Sequence, residues 1–453
     1  MAAPLRYSVL KFHEVVTGRQ ILQRLQELTK TQWLPREKVL ALQRAKLQRV
    51  MDYAYRYVPY YKRAFDQACF HPGELHEDLS ALQKLPLLTK SLIRENFEDL
   101  MTTEPERRRK MSRLATSGST GHPLVFMQDR DFRDCVTADI QRHLTWAGWE
   151  LGQVHAYIWG ISYDADWKYY ARDRLIDWAW RRFKANAFVL TDETMGAFAE
   201  DVRRRRPAIL FGYASSLYRF AQFVRQHPAY QGLRFKALFS SAETLLPAVR
   251  QFLEETFQCE VFNRYGSLEL GGMACECEAH DGLHISAENN YVEVLCDGRP
   301  AEPGEIGDII VTNLNNLGMP FIRYSVGDVG AWHEDARACP CGRAYPKLKS
   351  IEGRLVEAFK TRDGSTVWAG FAGSAYRCLT DPQIKQFQIV QKSLDKMVVR
   401  LVPAGELPQA VLDAIAKAIQ TTFGDNVVVD FELLDEIPPM PSGKHQYAVS
   451  ELP

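Results

Sequence analysis

The chain has no apolar run approaching the roughly 18 to 20 residues that a membrane-crossing helix needs, so no bilayer span is expected. It has no excess of either charge. Its 56 basic residues stand against 56 acidic ones, and no overall field favours wrapping nucleic acid or an anionic surface. The first residues are not expected to act as a secretory signal, because Arg6, Lys11 and His13 interrupt the apolar residues around Leu5 to Leu10. Repeats and low-complexity tracts are absent too. These absences make a cytoplasmic location the expectation, with small molecules rather than nucleic acid as partners. Nine cysteines, an odd number, are expected to stay unpaired in a reducing compartment.

At 453 residues the chain exceeds one ordinary core, and its 46% apolar and 25% charged residues are globular composition. Residues 15 to 70 read as helices: Ile21, Leu22, Leu25 and Leu28 recur at helical spacing, as do Leu40, Leu42, Leu47 and Met51 more loosely. Apolar runs at 154–159, 208–211 and 237–239 then alternate with helical patterns at 216–226 and 247–257, which predicts an α/β unit with parallel sheet. Runs at 291–295 and 308–312 flank a Gly/Pro-rich turn and predict a β-rich subdomain. After Gly353-Arg354 a strand at 398–402, a helix at 409–423 and a strand at 427–433 predict a compact β–α–β unit. The expected division is a large domain over 1–353, with a helical segment over about 1–70, and a small one over 354–453.

Five short stretches carry chemistry. Thr116 to Gly121 is rich in hydroxyls and glycine, so backbone N–H groups can approach a phosphate. It is not a Walker loop, since the glycine spacing differs and residue 122 is His. Tyr265-Gly266-Ser267-Leu268-Glu269 joins an aromatic that can stack on a base to a carboxylate that can hold Mg²⁺. Arg323-Tyr324-Ser325-Val326-Gly327-Asp328 places a carboxylate on a turn, where it can accept ribose hydroxyls. Gly353-Arg354 and Pro441-Ser442-Gly443-Lys444 complete the set, the last presenting one lysine on a glycine-containing turn. Each alone reads as easily as an ordinary turn. Charge runs such as Arg107–Lys110 and Arg203–Arg206 read as solvated faces.

In this order the five resemble the core motifs of adenylate-forming (ANL) ligases, and the chain resembles the phenylacetate–CoA ligase family over roughly residues 40 to 453. Residues 211–217, 241–245, 319–324 and 436–438 are similar to its capsular-polysaccharide-biosynthesis and deazaflavin-cofactor-adenylylating-like branch. The resemblance implies an α/β fold: a large N-terminal adenylate-forming domain of mixed sheets and helices with a β-rich subdomain, plus a small mobile α+β C-terminal domain. It implies that Ser117, Gly118, Ser119, Thr120 and Gly121 hold the β- and γ-phosphates of ATP. Ala242 and Glu243, with Tyr265, Gly266 and Ser267, border the nucleotide; Glu269 ligates Mg²⁺; Asp328 and Arg354 contact ribose. Lys444 bridges the attacking carboxylate and the α-phosphate. The implied reaction adenylates a carboxylic acid, possibly aromatic, releases pyrophosphate, and passes the acyl group to a thiol of CoA or a carrier, an amine or a hydroxyl. AMP transfer to a hydroxyl substrate and a degenerate nucleotide-binding scaffold stand as alternatives. His122 and the hinge sequence Gly353-Arg354-Leu355-Val356-Glu357, which keeps one acid of the family's G-R-x-D-D, depart from the pattern. Six tryptophans crowd residues 146–180, most expected in the core and one or two against a flat substrate.

Two C-x-C pairs, Cys275/Cys277 and Cys339/Cys341, with nearby imidazoles supply enough donors for tetrahedral Zn²⁺. The resemblance to the branch implies Cys277, His280, Cys339 and Cys341 as ligands of a structural zinc, with Cys275 and His284 in reserve.

Overall fold

The computed structural model describes residues 3–116, 124–160, 174–334, 339–354, 358–362, 366–368, 383–438 and 446–452. Helices Ala3–Thr17, Ile21–Thr31, Arg36–Tyr57 and Pro59–Gln67 open the chain. The stripe Ile21, Leu22, Leu25 and Leu28 is buried as its spacing predicts. In Arg36–Tyr57 the buried stripe is Val39, Gln43, Leu47, Val50, Met51 and Ala54, whereas Leu40 is exposed and Leu42 half-buried. Gln43 can take a core position because its amide Nε2 donates to the Asn290 carbonyl at 2.7 Å.

The central sheet has twelve strands among the described residues and changes character at one of them. Arg182–Asn186, His155–Trp159, Ile209–Tyr213, Ala237–Ser241 and Glu260–Ser267 run parallel. Their near-continuous apolar residues are covered on both faces, the pattern parallel strands require. Helices Asp192–Arg205, Ala214–Gln226 and Pro247–Phe257 make crossovers between them. From Glu260–Ser267 the pairing turns antiparallel through Gly271–Glu276, Leu283–Ile285, Lys347–Arg354, Tyr324–Trp332, Ile306–Asn313 and Asn290–Cys296 to Arg299–Pro300. A separate four-stranded sheet carries the C-terminal end of the chain, in the order Val428–Leu433, Lys396–Pro403, Ile384–Ser393, Ala448–Ser450. Helix Gln409–Phe423 buries Ile415, Ile419 and Phe423. No helix among the described residues is long and apolar enough to cross a membrane.

Helix Arg130–Trp146 is fastened to the sheet by buried charge. The Arg142 guanidinium, fully buried, donates to Asp139 Oδ1 (2.5 Å), Glu288 Oε2 (3.0 Å), Tyr345 Oη (2.8 Å) and Ser286 Oγ (3.2 Å). Tyr345 and Thr31 in turn donate to Glu288 Oε1, both at 2.5 Å. Arg142 therefore joins the N-terminal helices, one helix on the sheet and the loop after Leu283–Ile285. Replacing Arg142 by Met leaves Asp139 and Glu288 buried without their cation, and the expected loss is about 3–5 kcal/mol, read as a lowered denaturant midpoint.

His155 is buried between the rings of Trp149 and Tyr157, at 5.4 Å from each. Burial, with Arg182 nearby, lowers its pKa to about 3. The unfolded chain, with histidine near 6.5, then binds more protons than the folded chain between these values. Stability is fully present above about pH 6.5 and falls as pH drops toward 3. Denaturant unfolding at pH 7 and pH 5 should show this slope, and a shallower one in His155→Phe.

Candidate functional site

Strands Ser112–Ala115 and Val125–Gln128 form an antiparallel hairpin. Thr116 closes it: its N–H donates to the Leu124 carbonyl at 2.9 Å and its Oγ1 accepts the Leu124 N–H at 3.0 Å. The hydroxyl-rich stretch thus leaves from a fastened base. Ser117, Gly118, Ser119, Thr120 and Gly121 themselves lie outside the described residues. Asp129, at the other end of the hairpin, is almost fully buried and caps helix Arg130–Trp146 by accepting the Phe132 N–H at 2.8 Å. Its second oxygen accepts the N–H groups of Leu317 and Gly318, at 3.1 and 3.0 Å, and pairs with Arg107 at 2.7 Å. One aspartate therefore sets both a helix start and the loop leading into Met319–Asp328.

Three motifs meet beside this hairpin. Gln128 Nε2 donates to the Leu268 carbonyl at 2.7 Å, tying the hairpin to Tyr265–Glu269. Tyr324 Oη donates to Glu269 Oε1 at 3.3 Å, and Tyr265 Oη donates to Asp328 Oδ2 at 2.8 Å. Tyr265–Glu269 and Arg323–Asp328 are thereby cross-linked twice. Asp328 stands opposite Arg354 in the register of their strands, which brings the fourth motif to the same place. Glu269 is largely buried. Ser267 Oγ accepts the Leu270 N–H at 3.2 Å and so shapes the turn itself. Gly266 is required by packing, since a Cβ there would sit 2.5 Å from the Gly271 carbonyl oxygen.

Ala242 follows the end of strand Ala237–Ser241 with φ +69°, a left-handed conformation costly for a residue with a side chain. The next residue, Glu243, accepts from Ser215 N at 2.8 Å and Ser215 Oγ at 2.9 Å, holding the start of helix Ala214–Gln226. Negative charge there also suits the helix dipole. Tyr447 comes from the C-terminal end of the chain to face Glu243 and Tyr218; burial and then these neighbours push its phenol well above the ordinary range. Lys444 and the rest of 439–445 lie outside the described residues. Both flanks of that segment are fastened to strand Ile384–Ser393: Ile437 N–H donates to Gln386 Oε1 at 2.9 Å, and Gln388 Nε2 donates to the Gln446 carbonyl at 3.0 Å.

Of the six tryptophans, Trp146, Trp149 and Trp180 are core residues and Trp178 is exposed. Trp159 is half-buried at the end of its strand, 4.3 Å from the Tyr213 ring. Trp167 lies outside the described residues.

The thiols gather as the chemistry of the pairs suggests, with one correction. Cys277, Cys339, Cys341 and His284 bring their donor atoms within 4.8 Å of one another. Cys277 Sγ lies 3.6 Å from Cys339 Sγ, and Cys341 Sγ lies 3.3 Å from His284 Nε2. His280, the imidazole expected there, is not in the group. It sits on a turn with φ +49°, and its Nδ1 faces Glu276 at 3.2 Å. His284, by contrast, lies in strand Leu283–Ile285 opposite Cys275, and its ring points to Cys341. Cys341 is held well below the usual thiol range, first by its hydrogen bond with Cys277 and then by His284. Its Sγ also accepts the Arg343 N–H at 3.4 Å. Gln128, Asp129 and Tyr324 are the organising residues that motif spacing missed; only Tyr324 lay inside a recognised stretch.

The family described as the CapK C-terminal domain matches residues 359–451. The chain is 23% identical over 379 residues to Protein CapK of Staphylococcus aureus, covering 82% of this chain and 80% of that protein. It is 27% identical over 329 residues to the phenylacetate-coenzyme A ligase of Thermus thermophilus, covering 71% of each. Among solved structures it resembles 2-hydroxyisobutyryl-CoA ligase in the postadenylation state in complex with R3-HIB-AMP, with a TM-score of 0.75, 22% identity, and coverage of 92% of this chain and 91% of that one. In sequence the chain is CapK-like and phenylacetate–CoA ligase-like, and its fold is that of the adenylate-forming ligases.

Proposed function

We propose that this ligase adenylates a small carboxylic acid, with ATP and Mg²⁺, and then transfers the acyl group to a thiol such as that of CoA. The observation that carries the proposal is the convergence of the hairpin base, Tyr265–Glu269 and Asp328 through the Gln128, Tyr324 and Tyr265 hydrogen bonds. A carboxylate attacking a phosphate is anion on anion, so catalysis needs cationic charge at the reacting centre. Glu269 would hold Mg²⁺ there, with Ser117 to Gly121 around the β- and γ-phosphates. Ala242, Gly266 and the Tyr265 ring would border the base, and Asp328 and Arg354 would take the ribose. Glu243 would act by fixing helix Ala214–Gln226 beside them. Lys444, delivered by a mobile C-terminal domain beginning near residue 354, would neutralise the developing charge and then withdraw for the acceptor thiol. Trp159 and Tyr213, at the ends of adjacent strands, offer aromatic faces suited to a flat acid.

Lys444→Ala should still bind ATP while adenylate formation falls about 10²–10³-fold. The measurement is acyl-hydroxamate formed on hydroxylamine trapping across a panel of acids. Undiminished hydroxamate in the variant would remove Lys444 from the mechanism. A stable AMP-modified product with no hydroxamate would replace acid activation by nucleotidyl transfer.

The thiol cluster would hold one structural Zn²⁺ through Cys277, His284, Cys339 and Cys341. Around tetrahedral zinc, ligand sulfurs stand roughly 3.8 Å apart and sulfur to nitrogen roughly 3.5 Å, from the bond lengths of such sites. The observed 3.6 and 3.3 Å match that spacing. The ion would pin the loop after Gly271–Glu276 to the turn at 339–342 and take no part in turnover. Elemental analysis should find about one zinc per chain. His284→Ala and Cys339→Ser should lose it and lower thermal stability, while His280→Ala should keep it. Equal zinc content in all three variants would defeat the site.

A further inference from the structure

The run Arg203–Arg206 divides in two. Arg203 and Arg204 pair with Glu200 and Asp201 on an exposed helix face, the solvated arrangement expected of a charge run. The helix then ends in left-handed geometry at Arg206, φ +47°, which turns Arg205 and Arg206 toward a hollow of about 520 Å³. Five cations line that hollow: Arg181, Arg205, Arg206, Arg234 and Lys236. No carboxylate lines it among the described residues. Asp201, at 3.5 Å from Arg205 Nε, is the acid at its rim.

The hollow is built on a stiff floor. The turns before strands His155–Trp159, Ile209–Tyr213 and Ala237–Ser241 are laced together by backbone bonds. Ala208 N–H donates to the Val154 carbonyl and Lys236 N–H to the Ala208 carbonyl, both at 2.7 Å. His155 N–H donates to the Arg181 carbonyl at 3.2 Å. Apart from Arg205, which reaches Asp201, the cationic side chains that are held lean on neutral carbonyls. Arg181 Nη1 donates to Gly152 at 3.0 Å, Lys236 Nζ to Gly148 at 3.0 Å, and Arg234 Nη1 to Gln231 and Leu233 at 3.0 and 2.8 Å. Arg205 stacks over the Phe183 ring at 4.9 Å. The Arg206 guanidinium has no partner among the described residues. Like charges gathered around one concavity repel, and a chain with zero net charge has no general reason to collect them.

We propose that this hollow binds an oligophosphate, a ligand with two or more phosphoryl groups, at a site separate from the nucleotide site. Guanidinium forks match phosphoryl oxygens two at a time, and here four of them come from three turns around one point, which suits compact, branched negative charge. An acidic peptide would call for cations along an extended strip. Because Arg181, Arg234 and Lys236 are already held, they lose little freedom on binding. The hollow opens at the amino-terminal ends of the parallel strands, whereas Tyr213, Ser241 and Tyr265 lie toward the other ends. Five-residue strands separate the two by about 16 Å. The proposal therefore stands whether or not the adenylation reading does.

The test uses the full chain at constant ionic strength, with phenylglyoxal labelling of arginines mapped by mass spectrometry. Inorganic tripolyphosphate should reduce labelling of Arg181, Arg206 and Arg234 by at least about fivefold, while sodium sulfate should not. In R206Q/R234Q, shown to unfold at the wild-type temperature, the tripolyphosphate concentration that half-protects Arg181 should rise at least about tenfold, as expected for lost charge-assisted bonds. Unprotected arginines, equal protection by sulfate, or an unchanged half-protection concentration in the variant would each overturn the site. Protection by polyglutamate without protection by tripolyphosphate would overturn the phosphate assignment in favour of an acidic peptide.

Discussion

One buried cation, Arg142, ties helix Arg130–Trp146 and the N-terminal helices to the large sheet. Arg142 is surrounded by Asp139 of its own helix, Ser286 and Glu288 of the loop after Leu283–Ile285, and Tyr345. Such a cluster is tolerable only when every member is satisfied, because each ion has lost its water. The penalty for a displaced partner is large, so the pieces are held to one arrangement. The same guanidinium stacks near the rings of Trp146 and Tyr345, which extends the constraint toward His284 and the thiol cluster.

Strand Glu260–Ser267 converts that rigidity into a site. It is the last parallel strand on one side and the first antiparallel partner on the other, so Tyr265–Glu269 lies where two styles of sheet meet. Segments from both halves converge there: Ser241–Glu243 from the parallel side, and the start of strand Tyr324–Trp332 from the antiparallel side. The hairpin is then drawn in by Gln128. Ligands commonly bind beyond the carboxyl ends of parallel strands because the connecting loops there are free to diverge. Here the divergence is held in check by phenol hydroxyls, Tyr265 on Asp328 and Tyr324 on Glu269.

Regular elements were legible wherever apolar periodicity was clean. Helices Pro247–Phe257 and Gln409–Phe423 follow their patterns end to end, and the strands at 237–241 and 396–403 contain the expected runs. Periodicity failed in Arg36–Tyr57, where Gln43 enters the core and Leu40 leaves it, because a distant carbonyl satisfies the amide. It failed again at the imidazole of the thiol cluster. His280 has the nearer spacing to Cys277, but the turn aims its ring at Glu276, and the β pairing of Leu283–Ile285 delivers His284 instead. The Arg203–Arg206 run is half solvated face and half lining of a hollow, a split that one αL residue decides.

The sequence by itself determined the kinds of element, the ordered motifs and the types of donor they carry, because these follow from local chain chemistry and residue type. Tertiary structure alone decided which donors meet. Arg142 with Glu288, Gln128 with Leu268 and Cys341 with His284 are 146, 140 and 57 residues apart, and only strand register and helix placement bring such groups within bonding distance. Charge and hydrogen bonding act over a few ångströms, and along an unfolded chain those pairs share no neighbourhood.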